Sequence, residues 1–249
     1  MKIRLSFKLF FFLFGLFLLI SCKSESKSDV ATEYKTSYEV NFFGKLKDIM
    51  HKGDVSAKVE LGMLDKKHLY ALGAFENLKG EIQIFNGASY STYVEDSLLK
   101  FDKTFDKNAT LLIYANVSVW QEIQIPENIS SYENLEKFIE KKAKEQRIDV
   151  EKPFPFLIGG TAKSFDWHTI DWQDGDTKHS HQKHVNSGLH GTVESADVEL
   201  LGFYSNKHHA IFTHHTTNMH IHVRTLEGDL AGHLDDLVLG QKMVLKLPK

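Results

Sequence analysis

Met219-His220-Ile221-His222-Val223-Arg224-Thr225 is followed, after Leu226-Glu227-Gly228-Asp229-Leu230, by Ala231-Gly232-His233-Leu234-Asp235. The β-branched Ile221 and Val223 favour a strand, and residues two apart on a strand point to one face, so His220 and His222 stand side by side. A tetrahedral zinc fits between such imidazoles. His233, arriving from a neighbouring strand or turn, adds a third ligand and leaves the fourth position open, which is how catalytic zinc sites differ from structural ones. The other reading of a lone His-x-His is a solvated strand. Twelve of the 14 histidines lie between His168 and His233, however, a density that ties this half of the chain to a metal or a proton.

Taken with its flanks, His220 to Asp235 resembles the metal-binding motif of the α-acetolactate decarboxylases: His-Leu-His-Phe, a short polar turn, Gly-Gly-His, and a hydrophobic residue followed by Asp. A second block resembles the same family in the same order. It runs through Gly53-Asp54-Val55, Leu72-Gly73-Ala74-Phe75, Leu78-Lys79-Gly80-Glu81 and Asn86-Gly87. The family's counterparts are Gly-Asp-Val, Gly-Thr-Phe, Leu-Asp-Gly-Glu and Asp-Gly. Between the two blocks the resemblance is faint, as in a divergent member.

The resemblance implies an α+β fold, with a mixed-sheet N-terminal lobe over about residues 38–150 and a β-rich, metal-binding C-terminal lobe over about 151–249. It implies Zn2+ held by His220, His222 and His233, with Glu81 on the family's glutamate near the zinc as the acid/base group. The implied reaction is decarboxylation of 2-acetolactate, or a related branched 2-hydroxy-3-oxo acid, to acetoin. The family's active-site arginine would fall near Ser164–Trp172, where there is none. His168 is the closest positional substitute, able to hold the substrate carboxylate or a developing oxyanion as its cation. The family's acidic residue well beyond the last ligand is expected to lack a counterpart in Leu234–Lys249. These departures point to a second reading, a non-catalytic envelope lipoprotein that binds zinc or a small metal-chelated ligand on the same fold. A metal-buffering lipoprotein, with more than one metal per chain, is a third. A homodimer is the candidate assembly.

At 249 residues, 42% hydrophobic and 25% charged, the chain can bury a sizeable core. Lys2, Arg4 and Lys8 precede an apolar run from Leu9 to Ile20, too short to span a bilayer comfortably but suited to a signal peptide over residues 1–21. Leu19-Ile20-Ser21-Cys22 resembles a bacterial lipobox, and Cys22 is the only cysteine, so lipidation and not an internal disulfide is its expected use. The expected location is the bacterial cell envelope, anchored to the membrane through the N-terminal lipid. An uncleaved anchor is the other reading of that run. Without residues 1–21 the chain carries 27 basic against 33 acidic side chains, which gives no reason to expect nucleic acid as a partner. Residues 22–37, rich in Ser, Lys and Glu, read as a flexible tether.

Val40, Phe42, Phe43, Leu46, Ile49 and Met50 suggest a helix ending at Gly53. Leu69 to Tyr93 reads as a meander broken at Gly80 and Gly87, with Glu81 opening a strand. Its other reading is a solvent-facing strand residue. Ala109 to Trp120 suits a central strand. Ser130-Ser131-Tyr132-Glu133 reads as a capping box, opening a helix that buries Leu135, Phe138, Ile139 and Ala143. Two short strands are expected near Phe154–Ile158 and Ala162–Trp167. His179-Ser180-His181, among Lys, Gln and Ser, reads as a solvated loop, or as one that covers the active site, and His214-His215 as a surface pair, the other reading being that one of them faces the pocket. Gly202-Phe203 is expected to serve packing.

Overall fold

Short apolar runs separated by glycine and asparagine turns build the first sheet in the computed structural model, which describes residues 37–249. The expected leader, Cys22 and nearly all of the tether lie outside the described residues. The sheet contains β1 (Asn41–Phe43), β2 (Val59–Glu60), β3 (Leu69–Phe75), β4 (Glu81–Phe85), β5 (Ala88–Ser89), β6 (Ser91–Glu95), β7 (Leu98–Asp102) and β8 (Asn108–Asn116). Its order is β1-β8-β3-β4-β6-β7, with β2 on β8 and β5 on β4. The expected meander is present, and the strand expected over Ala109–Trp120 ends at Asn116, Trp120 opening a strand of the other sheet.

Helix α1 (Leu46–Lys52) ends where the sequence suggests. Gly53 takes φ 64°, a left-handed conformation glycine adopts without penalty, and its N–H closes onto the carbonyls of Asp48 and Ile49. Val40 to Phe43 does not join that helix. Phe42 and Phe43 run extended and pair with Ile113 and Leu112 of β8, because a half-buried pleated edge suits aromatic side chains better than a short helix would.

The second sheet contains β9 (Trp120–Gln124), β10 (Phe154–Thr169), β11 (Leu189–Tyr204), β12 (Met219–Thr225), β13 (Ala231–Leu239) and β14 (Val244–Pro248). β10, β11, β12 and β13 close into a ring, because β10 pairs with both β11 and β13, and β14 and β9 extend it on one side. The two short strands expected near residues 154–167 are one continuous strand. Gly159 and Gly160 are not a break: they pair with Glu199 and Val198, and Gly160 at φ 140° lets Met243 approach to where a Cβ would sit 3.0 Å away.

Helix α2 (Tyr132–Glu145) buries Leu135, Phe138, Ile139 and Ala143 in the core of the ring, as its spacing requires. Its cap is one residue later than expected: the Ser131 side chain accepts from the Asn134 N–H. Strand β9 already pairs with β14, so the passage between sheets follows Asn116 and comes well before residue 150.

Alternation along the ring strands decides what faces the first sheet. Met219, Ile221 and Val223 fill the ring core, while Leu157, Leu201 and Phe203 join Leu72, Leu111 and Ile113 in a second core between the sheets. Gly202 serves packing as expected, since a Cβ there would lie 2.1 Å from the Phe156 ring. A third core covers the far face of the first sheet.

Candidate active site and metal centre

Because Ile221 and Val223 turn into the ring, His220 and His222 turn out of it, toward β4 of the first sheet. Register supplies the rest. His222 pairs directly with His233 of β13, and His233 pairs with His168 of β10, so three imidazoles form a cross-strand row. The ring centroids of His220, His222 and His233 lie 5.1, 5.1 and 5.4 Å from one another. The three predicted ligands are therefore brought together by one hairpin.

Each of them presents a buried nitrogen without a well-formed hydrogen bond: Nδ1 of His220, Nε2 of His222 and Nδ1 of His233, the last lying 3.3 Å from an Asp235 oxygen. One such orphan costs about 1–3 kcal/mol. Lone pairs left in this way on neighbouring imidazoles are the donor type that a metal cation takes. Burial, reinforced by the neighbouring imidazoles, holds His220 and His222 well below the usual imidazole range, in the neutral form a metal requires. The proton of His222 is fixed on the other nitrogen, since Nδ1 donates to the side-chain oxygen of Gln83 at 2.9 Å. Such outer partners set the tautomer of a ligating histidine.

Glu81 opens β4 and is buried, not solvent-facing. Oε2 lies 3.7 Å from Nε2 of His222 and Oε1 lies 3.8 Å from Nε2 of His168, while Oε1 accepts from the Ile170 N–H at 3.3 Å. Burial pushes its carboxyl up to about 7. His233 and the Ile170 N–H oppose that rise, and Asp235 adds to it. A carboxyl group poised there can give or take a proton at neutral pH.

His168 is also in the site, but it is not a free cation. Its Nδ1 is held by both oxygens of Asp235, at 2.8 and 3.0 Å. Burial alone would raise Asp235; the His168 hydrogen bond and the adjacent His233 prevail and hold it well below the carboxylate range. His168, His233 and Asp235 bring one ligand atom each to within 4.8 Å of one another, so the metal-competent group that the geometry gives among the described residues shares His233 with the predicted set but has His168 and Asp235 in place of His220 and His222. Sequence reading missed Gln83 and the pairing of Asp235 with His168. Gln83 had a signal, since it is two residues from Glu81 and must share its face.

The site floors a cavity of about 690 Å³. Its mouth overturns two expectations. Residues 181–187 are not a loop but helix α3 (His181–Ser187), capped by the Ser180 side chain on the Lys183 N–H. His179 stacks on Trp172 at 4.3 Å and hydrogen-bonds His184 at 2.9 Å, whereas His181 meets His214 at 4.8 Å. The second His-x-His is thus split between two partners, and His214 lines the cavity instead of the surface alone. No arginine is among the described residues lining the cavity. Arg224, two residues beyond His222, pairs with Glu199 at 2.5 Å and stacks 4.0 Å over the Tyr90 ring.

The family model for alpha-acetolactate decarboxylase matches residues 41–248, taking in both the hairpin and the Glu81 strand. The chain belongs to the alpha-acetolactate decarboxylase family. Its fold is similar to that of alpha-acetolactate decarboxylase from Bacillus subtilis strain 168, with TM-score 0.66 and 16% identity over 84% of this chain and 85% of that one. The acetolactate decarboxylase from Bacillus subtilis subspecies spizizenii gives TM-score 0.66 and 16% identity over 84% and 86%. A Staphylococcus aureus protein of unknown function, described as similar to alpha-acetolactate decarboxylase, gives 0.65 and 16% over 83% and 84%. No curated protein matches the sequence significantly. At such identity the structural likeness establishes the fold, and membership of the alpha-acetolactate decarboxylase family rests on the sequence match.

Proposed function

We propose that the protein is a zinc-dependent decarboxylase of 2-acetolactate, or of a closely related branched 2-hydroxy-3-oxo acid, with acetoin as the product from acetolactate. The observation that carries this reading is the meeting of a buried carboxyl, raised to about 7, with three clustered imidazoles. His220, His222 and His233 would hold the zinc. When bound, zinc supplies Lewis acidity at the hydroxyl and ketone oxygens of such a substrate.

The residues of the chain have separate tasks. Loss of carbon dioxide leaves the bonding electron pair on the substrate as an enediolate, whose carbon must then gain a proton. Glu81 delivers that proton from its carboxyl and is reset from solvent through the cavity. His168, aligned by Asp235, faces the same Glu81 oxygen that accepts from Ile170, and so fixes the direction in which the carboxyl presents its other oxygen. The sheets on either side exclude water from this carboxyl, which keeps it protonated near neutrality.

The test is zinc-loaded, full-length protein incubated with racemic acetolactate, with carbon dioxide and acetoin measured together. Stoichiometric release of both is expected, with loss of both in Glu81→Gln despite retained zinc. Stoichiometric zinc with no acetoin at any pH between about 5 and 8, where histidines change charge, would reject the reading for this substrate.

A further inference from the structure

The cavity is far larger than acetolactate needs. A nine-heavy-atom anion takes roughly 150 Å³, the share of about five waters, against about 690 Å³ available. What surrounds the rest is apolar in a specific place. Ala74 of β3 pairs with Glu81 of β4 on one side and with Leu111 of β8 on the other, so Glu81, Ala74 and Leu111 form one row across three strands. All three line the cavity, and Ile49 and Met50 of α1 and Phe212 continue the wall. The small Ala74 keeps the space immediately beside the carboxyl open.

The mouth does not make this a funnel for a second charged group. No lysine or arginine is among the described lining residues, and burial pushes His184 down to about 3 and His214 down to about 4, so both are neutral. A small, highly polar substrate would leave the apolar wall facing water.

We propose that the site selects 2-hydroxy-3-oxo acids whose C2 substituent is an apolar chain several carbons longer than methyl, laid along Ala74 and Leu111 toward Ile49. This rests on the decarboxylase reading for the polar end of the substrate. Ala74 and Leu111 are then the residues that set chain length. The wall buries apolar surface as the chain lengthens, at about 0.8 kcal/mol per methylene, or about fourfold in kcat/KM.

The experiment uses zinc-loaded, full-length protein and a series of these acids with C2 substituents from methyl to hexyl, followed by carbon dioxide release. An approximately fourfold rise in kcat/KM per methylene until the wall is filled is expected. Turnover of acetolactate with a flat or falling series overturns the size preference and leaves the decarboxylase reading intact. If no member of the series is turned over, that reading fails, and the preference is decided by calorimetry with unreactive 2-hydroxy acids bearing the same chains. Tightening with chain length and an increasingly negative heat-capacity change supports it. Equal affinity along the series overturns it. Ala74→Phe is expected to lower the hexyl-to-methyl ratio at least tenfold, and Ala74→Leu provides the milder variant if the phenylalanine does not fold. An unchanged ratio in a folded variant removes these residues from the selection.

Discussion

Gln83 of β4 and His222 of β12 are joined across the gap between the two sheets, the His222 Nδ1–H donating to the Gln83 oxygen at 2.9 Å. The Gln83 amide cannot turn away, because its nitrogen donates to the Tyr90 carbonyl at 2.7 Å. A strand of the first sheet therefore decides which nitrogen a histidine of the second sheet leaves unprotonated.

Gln83→Leu removes that acceptor and is expected to weaken zinc binding about 10- to 100-fold. Competition with a chelator of known affinity measures it. Gln83→Glu keeps an acceptor and should lose less, and equal affinity in all three proteins would contradict the role.

Glu81 makes the metal-free protein sensitive to pH. Its carboxyl is pushed up to about 7 when folded, against an ordinary 4.5 when free, so the folded state holds the extra proton between those values. The associated stability is fully present below about 4.5 and is lost as pH rises through about 7, by on the order of 3 kcal/mol. His220 and His222, shifted down, act oppositely: their stability is present above 6.5 and lost as pH falls. Urea unfolding of metal-free wild type and Glu81→Gln across pH 5 to 8 isolates the first effect, and parallel profiles would exclude it.

Asp235→Asn should leave the three clustered imidazoles able to hold stoichiometric zinc while costing about 1.5–3 kcal/mol of stability, the worth of a hydrogen bond to a charged group. Metal analysis and denaturant unfolding check the two halves separately. Loss of zinc without loss of stability would place Asp235 among the ligands instead.

His168→Arg restores, on β10, the charge that the family carries near this point. Its guanidinium can take both Asp235 oxygens in a fork. Turnover of acetolactate is expected to rise about tenfold or more, the value of one charge-assisted contact, and kcat/KM measured on equally metallated proteins decides it.

We further propose that Cys22 is lipidated. Wild-type protein expressed in a bacterium should incorporate labelled fatty acid and sediment with membranes, and Cys22→Ser should abolish the labelling. Undiminished labelling in the serine variant would refute the assignment.

The placement of the three histidines on one hairpin was legible because its information is local. The i, i+2 spacing of His220 and His222 sets their face, and a five-residue connection after Thr225 returns His233 to the same level as His222. The burial of Glu81 was not legible from its own surroundings, since it depends on a strand more than a hundred residues away. The unbroken β10 was hidden because Gly159-Gly160 has the composition of a turn, and only pairing with β11 holds it extended. Helix α3 was hidden for the opposite reason. It buries none of its residues, so it carries no apolar period to read.

Gln83 and His222 are 139 residues apart in the chain. At roughly 5–20 residues per second on the ribosome, the carboxyl side of the site is made seconds before the first of its imidazoles. The ring that carries the imidazoles cannot close until β13 has been made and has paired back onto β10. Until then Glu81 has one sheet alone, so assembly of the site waits for the last strands of the second. A chain stalled before residue 233 has the strand that carries Glu81 but not the closed ring that buries it.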